Sequence, residues 1–561
     1  MSNSKVSSSF PFPPERSQSP GAVYVRSIPL EQRPDYPGQG YRRAEIDGMV
    51  FERDIEIVLS DGTRIYTDLY RPASAAGLLP VLMAWSPYGK HGINMDLLPG
   101  HGIDPAKISR HYHLEAADPL YWCQHGYAVL FPDPRGTWGS EGTNNLWGTA
   151  EARDAYEVIE WAAQQPWSNG KVGMIGQSYF SIIQWRVAAI RPPHLACIAP
   201  WGGAVDMMRQ FYLHGGIPET VFSKHFVLFT GNARSPLTES IGEGIAAHPF
   251  DDAFWSDKRP RLEDIDIPAY VVADWSDAGI HTPGTMDGWS KISSTDKWLE
   301  INGRSKWARF VEPEHVDRLR QFYDTYLKGV DCGLSAWPPV RLEMREGPMR
   351  GSLRDEAEWP LARTEYRPLF LSSDGTASWE PGKAGSVSYD ATTGQAIFSY
   401  LIQSDTEITG FGKLRLWVEA DGSDDMDLFV AMRQLDRSGN VVHYPLDTLH
   451  HNGEAALGWL RVSYRHLNVE DSTEQRPVLT YDRQLRLPPG TVVPVDIEMR
   501  PSSTLFRAGD TLQVVTQGSD FAVNNRAMPG VIGHTDLRNA GRHILHVGGE
   551  HSSFLLLPVI P

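Results

Sequence analysis

The sequence predicts an α/β fold joined to a C-terminal all-β domain, and three observations carry that prediction. Short, almost wholly apolar runs alternate with helix-patterned segments up to about residue 330. A strand–turn–helix joint carries Gly176-Gln177-Ser178-Tyr179. After about Pro338 helix signals vanish, and alternating runs separated by turn residues take over. With 561 residues the chain exceeds one compact domain, and about 150 residues per domain suggests three or four. A composition of 41% hydrophobic and 22% charged residues excludes wholesale disorder, a collagen-like fibre and a disulfide scaffold.

Taken in order, residues 1–50 read as an N-terminal arm, partly disordered, because the first twenty are rich in Ser and Pro. Structure is expected from about Phe51, where FERDIEIVLSDGTRIYTDLYRP alternates on both sides of Asp61-Gly62 as a hairpin. Pro80–Trp85 (PVLMAW), Tyr127–Pro132 (YAVLFP) and Lys171–Ile175 (KVGMI) fit strands buried on both faces of a parallel sheet. Glu151–Gln165 places Ala155, Val158, Ile159 and Ala162 at helical spacing. Residues 200–261 break the pattern with aromatics and Met, and read as a helical cap insertion. The α/β pattern of 51–199 resumes over 262–337, with PAYVVA at Pro268–Ala273, KWLEI at Lys297–Ile301 and a helix over His315–Leu327. Residues 338–561 form a β-sandwich, with strands such as Leu414–Val418, Asp427–Met432, Val492–Ile497 and Thr511–Thr516.

A net charge of −17 argues against nucleic-acid binding, which rests on basic side chains against phosphates. Three cysteines (Cys123, Cys197, Cys332) without CxxC spacing argue against disulfides and a cysteine zinc site. No HExxH motif or other metal cluster stands out, so neither metal nor cofactor is expected. No stretch approaches the roughly 18 continuous apolar residues of a membrane span, and the N-terminus lacks the apolar core of a secretory signal. The expected setting is cytoplasmic, with a small-molecule substrate and a possible homodimer.

The Gly176-Gln177-Ser178-Tyr179 joint matches the context of a nucleophile elbow, in which a strained turn lifts a serine hydroxyl above the sheet. GxSxG calls for glycine at position 180, where this chain has Phe180.

Matching segments from about Asp54 to Asp520 make the chain resemble the cocaine esterase / X-prolyl dipeptidyl aminopeptidase family, the CocE/NonD hydrolases. They include DGTRIYTDLYRP, Asp133-Pro134-Arg135-Gly136 with Gly139-Ser140-Glu141-Gly142, and Gln165 to Met174 (QPWSNGKVGM). In the β domain they include Leu416-Trp417-Val418, Asp425-Met426-Asp427-Leu428-Phe429, Gly458 to Ser463 (GWLRVS) and Phe506 to Asp510 (FRAGD). The resemblance implies an α/β-hydrolase core with a jelly-roll-like C-terminal domain. It makes Ser178 the acyl-accepting nucleophile and the Tyr179 N–H one oxyanion donor. Tyr88, in Ser86-Pro87-Tyr88 after PVLMAW, becomes the second donor. Its elbow is G-x-S-Y, so Phe180 is no objection, while Ser181 stands where glycine is usual. The W-x-D setting at Trp275-Ser276-Asp277 points to Asp277 as the acid that orients the base, with Asp274 as competitor.

The base departs from the family pattern. Asn302 of Asn302-Gly303-Arg304 occupies the place where relatives carry histidine, and no histidine lies between His281 and His315. His315 is the first replacement and His281, one helical turn past Asp277, the alternative. Without a base, Ser178 has almost no alkoxide and acyl transfer falls by orders of magnitude. Trp201, Met207 and Phe211, with Met208, Phe222 and Phe226, suggest an apolar substrate pocket. The expected function is serine hydrolysis of an ester or amide with a bulky or aromatic acyl group. The alternative is a non-hydrolytic enzyme or a binding protein with a dead site on the same fold. An esterase is favoured over an X-prolyl peptidase, because no acidic anchor for a free amino terminus stands out.

Overall fold

The computed structural model describes residues 19–33, 36–90, 102–446, 450–521 and 532–561. The first 18 residues of the expected arm lie outside them. One continuous sheet forms the backbone of the first half. Its strands are β1 (Arg42–Ile46), β2 (Met49–Val58), β3 (Arg64–Pro72), β4 (Leu79–Met83), β5 (Ala128–Asp133) and β6 (Ser168–Gln177). They continue with β7 (Leu195–Trp201), β8 (Ala269–Asp274), β9 (Lys297–Asn302), β10 (Val340–Gly347) and β11 (Arg350–Glu356). The spatial order is β1-β2-β3-β5-β4-β6-β7-β8-β9-β10-β11, antiparallel at both edges and parallel from β5 to β10.

The apolar runs form the parallel centre because both of their faces are covered. Val81, Met83, Ala128, Leu130, Val172 and Met174 pack with Ala155, Val158 and Ile159 of α2 (Thr149–Ala163), which follows the short α1 (Pro119–Gln124). Leu82, Val129, Phe131 and Ile175 point the other way, into a core shared with Phe322 and Tyr323 of α6 (Pro313–Lys328). Between these helices in the chain come α3 (Tyr179–Ala189), α4 (Thr282–Lys291) and α5 (Lys306–Phe310).

Ordered structure begins earlier than Phe51. Tyr24–Arg26 pairs antiparallel with Leu237–Glu239, and Ile28–Pro29 pairs with Asn232–Ala233, so part of the arm is stitched onto the cap. These pairings are long-range, and nothing local in the arm announces them. The cap itself carries short helices at Phe222–His225, Val227–Thr230, Ile241–Ala247 and Ala253–Asp257, joined by strands of two or three residues.

The C-terminal half is a sandwich. Thr406–Asp421 pairs with Val493–Phe506, Arg542–Val547 and Phe554–Ile560 in one sheet. Asp427–Leu435 pairs with Ala456–Arg461 and Thr511–Gln517 in the other. Leu414, Leu416, Val418, Leu428, Val430 and Leu512 fill the space between them. The sandwich is joined to the α/β core by β10, which pairs with β9 over Val340–Leu342 and, farther along the same edge, with Thr504 at Arg345. The buried Arg345 guanidinium donates to Ala455 O, Ser502 Oγ and Thr504 Oγ1.

Candidate active site

Ser178 sits between β6 and α3 with φ 57° and ψ −117°, a conformation that costs a non-glycine residue of order 1–3 kcal/mol. Straps on both sides hold it there. Ser178 N–H donates to Trp201 O at 3.1 Å, Gln177 N–H donates to Glu115 O at 2.7 Å, and Ser178 O accepts from Ser181 and Ile182 N–H. Gly176 has φ 129°, and a Cβ there would lie 2.5 Å from Phe180 Cβ and 2.8 Å from Glu115 O. The close approach of β6, α3 and residue 115 therefore requires glycine at 176, whereas position 180 is helical and accepts phenylalanine. Ser178 remains partly exposed while its neighbours are buried.

His281 Nε2 lies 3.1 Å from Ser178 Oγ. The imidazole comes from the residue before α4, on a turn in which His281 N–H donates to Asp277 O at 2.9 Å. Burial, reinforced by the charge of Lys306, holds His281 well below the ordinary imidazole range. Its free base therefore dominates at neutral pH, as a proton acceptor for Ser178 requires.

The expectation that His315 reaches Ser178 is corrected by the geometry. Its Nδ1 lies 2.9 Å from Glu300 Oε1 and its Nε2 3.3 Å from Glu314 Oε1. Burial opposes ionisation of Glu300, yet His315 and Arg318 outweigh it and hold the carboxyl down to about 2. His315 belongs to this ion cluster on β9 and α6.

Asp277 also departs from expectation. Its Oδ2 accepts from Lys306 Nζ at 3.0 Å, while Asp277 Oδ1 and His281 Nδ1 have no hydrogen-bond partner among the described residues. The carboxylate is thus tied to a lysine and not to the imidazole. Lys306 also lies 3.8 Å from Glu115 Oε1. Burial disfavours its charge, but Asp277 and Glu115 outweigh that and raise its pKa. Burial pushes Glu115 up to about 7 and, with the charge of Asp277, pushes Asp274 up to about 8. Asn302 lies opposite Asp274 in the β8–β9 register, buried, with neither amide atom hydrogen-bonded among the described residues.

Tyr88 follows β4, with its hydroxyl close enough to Ser178 to influence it electrostatically. Burial keeps the phenol protonated far above its ordinary range. Tyr179 opens α3, so its N–H is one of the donors that a helix start leaves without an intrahelical acceptor. The Tyr179 hydroxyl donates to Glu151, which also accepts from Trp85 Nε1 and Trp147 N–H. Neither Lys306 nor Glu151 carries a local pattern that marks it in the sequence.

Phe211 packs edge-on against His281 at 5.8 Å and, tilted, against Phe222 at 5.3 Å. The Tyr88 ring meets Phe226 and Phe229 edge-on. Met207 is buried in the same apolar cluster. Trp201 is turned away, with Nε1 donating to Asp274 at 3.0 Å and its ring between Phe310 and His315. A separate cleft of about 720 Å³ lies between the cap, α4 and the sandwich, among Arg209, Asp287, Arg476 and Arg500, and is not lined by Ser178 or His281.

A family model described as X-Pro dipeptidyl-peptidase (S15 family) matches residues 61–240. A second, described as the X-Pro dipeptidyl-peptidase C-terminal non-catalytic domain, matches residues 333–556. The cocaine esterase of Rhodococcus sp. (strain MB1 Bresler) is 25% identical, over 90% of this chain and 98% of its own. An α-amino acid ester hydrolase, 18% identical with a TM-score of 0.70, covers 94% of this chain and 99% of its own and shares the fold. The crystal structure of a CocE/NonD family hydrolase from Staphylococcus aureus superposes with a TM-score of 0.90 at 34% identity, covering 98% of this chain and 99% of that one. Likeness at that level across both halves leaves one conclusion: the chain belongs to the CocE/NonD family of hydrolases.

Proposed function

We propose that this hydrolase cleaves carboxylic esters of small, bulky or aromatic acyl groups through an acyl–Ser178 intermediate, with His281 as general base. The reading rests above all on the 3.1 Å approach of His281 Nε2 to the Ser178 hydroxyl on a strained elbow. His281 accepts the hydroxyl proton as Oγ attacks the carbonyl carbon. The resulting oxyanion lies between the Tyr88 hydroxyl and the Tyr179 N–H, two donors whose direction is set before substrate arrives. The His281 imidazolium then returns its proton to the departing alkoxide. Water repeats the cycle on the acyl-enzyme, with His281 again taking the proton.

The apolar rings of Phe211, Phe222, Phe226 and Phe229 around this centre favour a bulky acyl group. The similarity to a cocaine esterase supports an ester over a peptide. Incubation with p-nitrophenyl esters and mass spectrometry of the quenched protein tests the reading. A mass increment equal to the acyl group is expected on the peptide containing Ser178, absent from Ser178→Ala. Turnover by Ser178→Ala at the wild-type rate would remove the serine from the reaction.

A further inference from the structure

His214 of the cap and His534 of the sandwich meet in a buried contact, with His214 Nδ1 2.9 Å from His534 Nε2. At its far end, His214 Nε2 lies 2.7 Å from Gly279 O, inside the turn that leads from Asp277 to His281. At the other end, His534 Nδ1 lies 2.8 Å from Asp520 Oδ1, whose second oxygen accepts the His534 backbone N–H at 2.8 Å.

Counting protons along this chain settles the pair. A backbone carbonyl only accepts, so His214 carries a proton on Nε2. An ionised carboxylate only accepts, so His534 carries a proton on Nδ1. The contact between His214 Nδ1 and His534 Nε2 needs one further proton, so the two rings together hold three.

We infer that Asp520, His534 and His214 form a brace from the sandwich to the turn bearing His281. In it the two imidazoles together hold three protons and one positive charge, and the proton between them sets the position of the general base. The inference rests on the reading of His281 given above. All three groups are positioning residues, since none touches Ser178 or substrate. The surroundings fit the assignment. Burial, with the charges of His534 and Arg500, lowers the pKa of His214, while the backbone carbonyls of Gly279 and Gln210 oppose that. His214 stacks on Trp459 at 4.8 Å, and His534 meets Phe429 edge-on at 5.4 Å. The charged groups facing the pair are Asp520, Arg500 and Glu219, whose carboxylate accepts the Gly533 N–H at 3.1 Å.

The consequence is a limit on the alkaline side. When the pair loses its third proton, one contact of the chain from Asp520 to Gly279 loses its donor and the turn at Gly279 is no longer strapped. Small misplacements of a catalytic group cost about 10- to 100-fold in rate. The test is the pH profile of the full-length enzyme, wild type against His534→Gln and His534→Gln/Asp520→Asn. In the single variant a glutamine donates to His214 but turns its oxygen toward Asp520. In the double variant the amide introduced by Asp520→Asn donates to that oxygen and rebuilds the chain without a titrating proton.

We expect kcat of the single variant to fall about 10-fold with KM little changed. The double variant should recover most of kcat and lack the alkaline limb seen in wild type. A limb that persists in the double variant overturns the inference, as does a wild type that shows none. Should the variants not fold, neutron diffraction of the wild-type protein at neutral pH decides. Three deuterons on the four ring nitrogens of His214 and His534 are expected, and only two, or one on Asp520, refutes the assignment. Failure of the underlying reading shows separately, as a His281→Ala enzyme that turns over at the wild-type rate.

Discussion

Lys306 Nζ lies 3.0 Å from Asp277 Oδ2, so the carboxylate one turn before His281 is neutralised by a buried lysine instead of by the imidazole. Removing one partner of a buried ion pair leaves an uncompensated charge and costs about 3–5 kcal/mol. Lys306→Met should therefore lower stability by that amount in denaturant unfolding, and Lys306→Met/Asp277→Leu should recover most of it. Additive losses in the double variant would show that the pair is not coupled.

The same relationship predicts how Asp277 enters catalysis. In a triad whose acid bonds to the base, replacing that acid by its amide costs about 10⁴-fold in kcat. Here His281 Nδ1 has no such bond among the described residues. Asp277→Asn should lower kcat by less than about 100-fold, and a loss near 10⁴ would place the acid back on the histidine.

In the proposed reaction, Tyr88→Phe removes one of the two donors aimed at the oxyanion. The expected loss is about 10²–10³ in kcat with KM nearly unchanged, because the contact forms fully only in the transition state. Burial keeps the phenol protonated at any working pH, so the wild-type profile should show no limb from tyrosine. A Tyr88→Phe defect confined to KM would move the residue from the oxyanion to the pocket wall.

In the proposed mechanism the acid side of the pH profile belongs to His281. Only neutral imidazole accepts the Ser178 proton, so activity falls as pH drops through the pKa of His281. Burial and Lys306 lower that pKa, so the neutral form persists further into acid than for a free histidine. The acid limb of kcat/KM should lie below pH ~6.5. A limb at or above that value would point to a base in a more solvated place.

Much of this architecture is legible in the residues. PVLMAW, YAVLFP, KVGMI, PAYVVA and KWLEI each form a strand of the parallel sheet, because runs apolar on both faces have few other places to go. The elbow at Ser178 and the tyrosine after β4 also follow from local order. The histidine does not, because chain distance is a poor guide to it. His315 lies on the expected stretch, yet its ring turns toward the buried Glu300 of β9, which also pairs with Arg318. His281 gains its place from the turn after β8, whose shape depends on the cap and sandwich residues packed on it. Lys306, Glu115 and the His214–His534 contact are equally tertiary, and no spacing announces them.

Whether His281 or His315 activates Ser178 is read out by kcat and by the rate of fluorophosphonate labelling of Ser178. Both are measured in His281→Ala and His315→Ala, side by side with wild type. We predict that His281→Ala loses about 10⁴-fold or more in both rates, while His315→Ala stays within about 10-fold of wild type. The reverse ranking, or indifference to both changes with Ser178 still labelled, would contradict His281 as the base.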